Sequence, residues 1–220
     1  MSAVFINSCS CSCLEFGSGV LIGDRSTNLV RIANTRQPQA AVVADNLALP
    51  HPAHSFDFAI SIAVVHHLST VERRVEAVKA VLNLLRPPSS KGSMDGGKAL
   101  IYVWALEQKD SRRGWDEGHE QDVMVPWVMK VGEKSKKEKG QKKQKDEGGQ
   151  VEPESAEPPQ PASKTFLRYY HLYRRGELES DIEQAGGKVV ESGYEKDNWW
   201  AIATSTDDTD HSPSADPDKR

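Results

Sequence analysis

"CLEFGSGVLIGD", residues 13–24, carries two patterns that exclude each other. Glu15-Phe16-Gly17-Ser18-Gly19 is an acid followed by Gly-x-Gly, the form of a turn that passes beneath a cofactor. Asp24 lies five residues past Gly19 and closes a short apolar run. That is the form of a ribose-binding acid at the end of the next strand. A parallel strand–helix–strand unit needs a crossover of about a dozen residues. The gap from Gly19 to Asp24 is too short for one. The stretch is therefore read as a single buried strand over 19–24, and the glycine pattern ahead of it as a look-alike.

Working outward, "STNLVRIANTRQ" (26–37) predicts a helix with Leu29, Val30 and Ala33 on one face. Ser26 suits its N-cap and Pro38 its end. "AAVVAD" (40–45) is a second strand, ending in Asp45, and "SFDFAISIAVV" (55–65) a third. The third is apolar almost throughout, as parallel strands covered on both faces are. Ser69 and Glu72 fit a capping box. Val71, Val75, Val78, Val81, Leu82 and Leu85 follow at helical spacing up to Pro87. "GGKALIYVWAL" (96–106) is a fourth strand. "RRGELESDIEQAGG" (174–187) is a helix with Leu178 and Ile182 inward and Gly186 at its end. "KVVESGY" (188–194) and "NWWAIATS" (198–205) form a closing antiparallel pair. The alternation predicts an α/β fold, a mostly parallel doubly wound sheet with a terminal hairpin. Ligands of such sheets sit beyond the carboxyl ends of the strands, where Asp24, Asp45 and the His66-His67 pair fall.

The 220 residues, with 37% hydrophobic and a net charge of −4, suit one domain with a core that needs no staples. Cys9, Cys11 and Cys13 lack a zinc spacing and histidine neighbours, so no metal is expected. No apolar run approaches the roughly 20 residues of a membrane span. The charge is unevenly spread. Lys130 to Lys145 hold eight lysines against two glutamates, and Asp146 to Glu157 hold five acids and no base. Residues 131–163 read as a disordered insertion and 205–220 as a disordered acidic tail, because neither buries enough apolar surface to offset ordering. The lysine run is a candidate for RNA phosphates, but a solvated loop is the favoured reading.

By "FDFAISIAVVHHLST", "LIYVWALEQ", "QDVMVPW", "RYYHLYRRGELE" and "YEKDNWW" the chain resembles the eukaryotic tRNA wobble-uridine methyltransferases, which methyl-esterify 5-carboxymethyluridine. In animals the same domain occurs fused to an AlkB-type dioxygenase. The resemblance covers residues 19–130 and 164–204. It implies a class I, Rossmann-like fold that uses S-adenosyl-L-methionine (SAM). It implies a tRNA anticodon loop as substrate and a small zinc-binding activator protein that covers apolar surface near a sheet edge. It also implies a cytoplasmic enzyme, with the nucleus as a second location. Residue by residue, it assigns the ribose hydroxyls to Asp24, with Arg25 beside it, and the adenine amino group to Asp45. Asn46 and Leu47 wall the adenine. Ser61, Ile62 and Ala63 line the methionine side. On the substrate side, Arg168 is the candidate to orient the ionised carboxymethyl group bidentately. His67 is the candidate to position the uridine. Tyr170 and Trp199 are candidates to stack on an extruded base, and Arg74 to reach a phosphate. Structural roles compete with each. The histidines suit a turn, one of Trp199 and Trp200 suits the core, and Arg73 and Arg74 suit a solvated helix face.

The chain departs from the family ahead of Asp24. Family members carry an acid-x-Gly-x-Gly-x-Gly segment and a helix there. Residues 1–18 are expected to be irregular, with the first strand and helix missing and the methyltransferase domain confined to 19–204. At most "SAVFI" supplies a makeshift strand. This favours a truncated reading frame over a non-catalytic module that binds the activator or tRNA. A class I methyltransferase acting on another small carboxylate is a third reading, opposed by the intact "RYYHLY" and "DNWW". Deleting 131–163 should leave the melting temperature within a few degrees of the full chain; a large fall would place the insertion in the folded core.

Overall fold

The computed structural model describes residues 3–7, 20–36, 41–89, 95–108, 114–129 and 164–206. The cysteine run, the glycine look-alike, the insertion at 131–163 and the tail past Thr206 lie outside them.

The N-terminus corrects the sequence reading. Ala3–Asn7 form a strand, β1, at the centre of the sheet. It pairs in parallel with β2 (Val20–Asp24) on one side and β4 (Phe58–Ile62) on the other. Val4 sits opposite Leu21 and Ala59, and is fully buried. The first strand is therefore present, and 1–18 is not irregular throughout. The crossover begins at Asn7 rather than Gly19, which leaves the twelve residues 8–19 to join two parallel strands. That meets the minimum for such a connection.

From β2 the chain enters α1 (Thr27–Arg36), capped as expected by Ser26, whose Oγ accepts from Leu29 N at 3.3 Å. The Asn34 amide then holds the start of β3 (Ala41–Val43), donating to Ala41 O at 2.9 Å and accepting from Ala41 N at 3.1 Å. After β4, a 3₁₀ turn (Val65–His67) leads to α2 (Val71–Leu82). Thr70, not Ser69, caps α2; its side chain accepts from Arg73 N at 3.3 Å. β5 (Lys98–Trp104) completes the parallel set beside β4.

Among the described residues two strands were not expected from the sequence, β6 (Asp122–Met129) and β7 (Lys164–His171), which form a two-stranded ribbon. Pro126 in one, and the long segment between the two, hid the pair. α3 (Glu177–Gln184) precedes the closing hairpin of β8 (Gly187–Glu195) and β9 (Asn198–Ser205). Lys196 and Asp197, at φ 46° and 65°, make its two-residue turn. Gly193 is required opposite Trp200, because a Cβ there would lie 2.8 Å from the indole.

The sheet order is β3-β2-β1-β4-β5-β9-β8, in which β9 runs opposite to the other six strands. The core joins Val78, Val81 and Leu82 of α2 and Leu178 and Ile182 of α3 to Val4, Ala59, Ile101, Val103 and Ala201 of the sheet. Two units are distinguished: Met1–Met124 with Tyr169–Arg220, which holds the sheet, and Val125–Arg168, which holds the end of β6 and the start of β7. No described helix is long and apolar enough to cross a membrane.

Val4→Ala removes two buried methyl groups from the middle strand. It should cost about 2 kcal/mol, lowering Tm by several degrees. An unchanged Tm would remove β1 from the core.

Candidate active site

The chain leaves β1 towards β2 and β3 on one side and returns to β4 and β5 on the other. The order reverses beside β1, which is the point where open parallel sheets bind ligands. The carboxyl ends gathered there bring together Asp24, the turn Asp45–Asn46–Leu47, and Ser61–Ile62–Ala63.

Asp24 is buried, and its Oδ1 accepts from Ser26 N at 2.7 Å. Its carbonyl accepts from Ala44 N at 3.1 Å, tying the end of β2 to the end of β3. Burial pushes its carboxyl above the ordinary range, and the Ser26 hydrogen bond opposes this. A carboxylate with one oxygen engaged keeps acceptor positions for a diol. Asp45 is exposed and orders its own turn, with Oδ1 accepting from Leu47 N at 3.1 Å. Arg25 is exposed, 3.9 Å from Asp45, a pairing of little energetic weight. Asn46 and Ser61 are buried. Among the described residues, both polar atoms of the Asn46 amide and the Ser61 hydroxyl lack a hydrogen-bond partner. Buried polar groups without partners are uncommon, and a bound polar ligand is one way of satisfying them. Ala63 adopts φ 58°, unusual for a side-chain-bearing residue, and its N–H donates to Tyr102 O at 3.2 Å. Such backbone collects at binding sites.

His66 is fully buried, and its Nδ1 accepts from Trp104 N at 3.0 Å. Burial, then the neighbouring His67 and His171, push its pKa well down, so the ring is neutral. His67 Nδ1 donates to Tyr169 O at 2.9 Å, which makes Nε2 an acceptor in the neutral ring. Tyr170 corrects an expectation. It is 7% exposed and stacks on Trp104 at 4.3 Å and 15°, with its edge against His67. Its ring is a wall held by Trp104, not an open face for a base. Trp199 is half-buried, fixed by its indole N–H to Glu107 Oε2 at 3.0 Å and by Tyr194 across the hairpin. Arg168 lies in the other unit, its guanidinium 4.7 Å from the Trp127 ring centre.

Arg74 is the second correction. Only 3% exposed, it points inward, 3.5 Å from Glu177 and 3.7 Å from Asp181, so it does not face a phosphate. The helical register at 74 faces α3, which a sequence reading of "VERRVEA" leaves ambiguous. Arg74 joins a network that the sequence did not reveal. The centre of that network is His171, whose Nδ1 lies 2.8 Å from Asp122 and whose Nε2 lies 2.6 Å from Glu177. Both nitrogens face carboxylates, so both carry protons. Gln121 donates to Glu177 at 2.7 Å, and Tyr169 donates to Asp122. The clamp joins β6 and β7 to α3 and fixes the backbone carbonyl that orients His67.

The order of the sheet, its switch point beside β1 and the acids closing β2 and β3 define a class I methyltransferase. Solved structures share the fold. Streptomyces venezuelae DesVI aligns with TM-score 0.59 at 14% identity, over 93% of this chain and 84% of that one. The glycopeptide N-methyltransferase MtfA complexed with SAM aligns with TM-score 0.54 at 13% identity, over 93% and 81%. The family described as Methyltransferase domain matches residues 7–89. The tRNA (carboxymethyluridine(34)-5-O)-methyltransferase of Schizosaccharomyces pombe is 45% identical over 181 residues, covering 82% of this chain and 69% of the relative. That of Saccharomyces cerevisiae is 41% identical over 217 residues, covering 84% and 75%. The chain belongs to this tRNA (carboxymethyluridine(34)-5-O)-methyltransferase family.

The clamp generates a pH prediction. Burial lowers the pKa of His171, but its hydrogen bonds to Glu177 and Asp122 outweigh this and raise it. Burial acts to raise Asp122 and Glu177, and their hydrogen bonds, from Tyr169 and His171 respectively, bring both below the ordinary range. The histidine contribution is complete below its unfolded pKa of about 6.5 and fades as pH rises through the higher folded value. The carboxylate contributions are complete above about pH 4.5 and fade as pH falls through the lower folded values. Wild-type Tm should therefore decline above neutral pH more steeply than that of His171→Gln. Parallel curves for the two proteins would mean that His171 is not charged in the fold.

Proposed function

We propose that the chain transfers a methyl group from SAM to the carboxylate of 5-carboxymethyluridine at the wobble position of tRNA, forming the methyl ester. The observation that carries the reading is a set of buried groups, Asn46 and Ser61, without hydrogen-bond partners among the described residues, on the same sheet edge as Asp24 at the switch point of a sheet of this family. Those groups fit SAM. Asp24 suits a ribose diol, Asp45 an exocyclic amine, and Leu47 an adenine face, while Ser61, Ile62 and Ala63 border the sheet end next to β1.

SAM supplies an electrophilic methyl group. The substrate carboxylate is ionised at neutral pH, so esterification needs no proton removed and no general base. The protein's task is orientation and partial stripping of water. Arg168 is our candidate to orient the carboxylate. A guanidinium held by its face against an indole keeps its N–H edge for a bidentate acceptor. His67 Nε2, an acceptor in the neutral ring, suits the N3–H of the uracil. Tyr170 and the stacked Trp104 keep that imidazole in place. Trp199 remains a candidate contact for the flipped base.

The zinc-binding activator belongs to the same reading. β3 is a three-residue sheet edge, and Val43 on it and Ile32 on α1 are exposed, which suits a partner covering apolar surface there. A cytoplasmic location, with the nucleus second, is part of the same proposal.

The test is methyl transfer from labelled SAM to tRNA bearing 5-carboxymethyluridine, with the activator co-expressed. Base-labile label should appear in the tRNA. Arg168→Ala should lower kcat about 100-fold and spare SAM affinity. Label in wild type that is stable to base would exclude ester formation, and equal turnover by the variant would remove the clamp.

A further inference from the structure

The ends of β6 and β7 expose apolar rings that neither the core nor the cofactor edge uses. Trp127 is 39% and Phe166 is 46% exposed. Their ring centres lie 6.2 Å apart at 41°. The two-residue period of a strand puts Phe166 and Arg168 on one face of β7. The Arg168 guanidinium lies 4.7 Å from the centre of Trp127, so all three groups share that face. An isolated apolar patch would be covered by a partner of similar character. This one is built of flat π systems and a cation. Adjacent exposed rings, unlike scattered single ones, mark interaction surfaces.

We propose that Trp127, Phe166 and Arg168 form a stacking platform for unpaired bases of the RNA substrate. The proposal rests on the reading of the chain as a tRNA methyltransferase. Single-stranded RNA is held by aromatic rings and guanidinium planes that accept any base, with cations nearby for the phosphates. All three group types meet here. Arg168 supplies charge within the platform. An apolar protein surface would have no use for the charge of Arg168, whereas a loop of RNA uses rings and charge together.

The test uses the full chain with its activator and a fluorescent synthetic anticodon stem–loop RNA. Trp127→Ala and Phe166→Ala should each raise the Kd for that RNA about tenfold. Both residues are exposed, so Tm and SAM affinity should not change. Trp127→Phe should restore most of the affinity, which a merely structural role for the indole would not predict. In steady state Phe166→Ala should raise KM for tRNA more than it lowers kcat, whereas Trp127→Ala, which also removes the seat of Arg168, should change both. Unchanged Kd and KM in both variants would overturn the platform, even if the wild type esterifies tRNA. Loss of activator co-purification with RNA binding intact would overturn it too, since the face would then be a protein interface. If the wild type forms no ester but loses RNA affinity on Trp127→Ala, the platform stands and the enzymatic reading falls.

Discussion

β1 shares its hydrogen-bonding groups with β2 on one side and β4 on the other, and every other feature of the sheet is arranged around that double pairing. Five residues, Ala3–Asn7, hold the two wings of a parallel sheet together. Without them the ladder groups of β2 and β4 would face each other across a gap, and Val4 would leave a hole in the core. The same strand creates the reversal in strand order. A cofactor site at the carboxyl edge is thus a consequence of the topology, and the chain needs only to end its strands in suitable residues.

Those endings differ in how much structure they carry. Asp24 is buried and braced by Ser26, so its carboxyl is preorganised. Asp45 is solvent-facing and spends one oxygen on its own turn. Across β4, the wall made by His66, Tyr170 and Trp104 is a packed aromatic stack. The clamp on His171 sits behind it and fixes the Tyr169 carbonyl that sets the His67 tautomer. Positioning on the substrate side therefore depends on buried charge several residues away from any reacting atom.

Much of this is legible in the sequence. Strands that end in acids after apolar runs can be read directly, and so can a helix whose valines recur at 71, 75, 78 and 81. Long motifs such as "RYYHLY" carry the family resemblance. What the sequence hides has physical causes. β1 is five residues long, and the crossover counts from Asn7 rather than from the first attractive glycine. β6 and β7 pair across residues 130–163, and no local pattern announces a partner that far away. The side chains of Arg74 and Tyr170 suit RNA by type, yet burial decides availability, and burial depends on α3 and Trp104. His171 lies inside "RYYHLY", but its role emerges only once Asp122 and Glu177 arrive from other elements.

The central claim is that this sheet edge, organised by β1, is a SAM site. Amide hydrogen exchange of the full chain, with and without excess SAM, tests it most directly. The account predicts slowed exchange in three separate segments, around Asp24, around Asn46 and around Ser61 to His67, together with β1 itself. No slowing at those segments, or slowing confined to the β6–β7 ribbon, would contradict it.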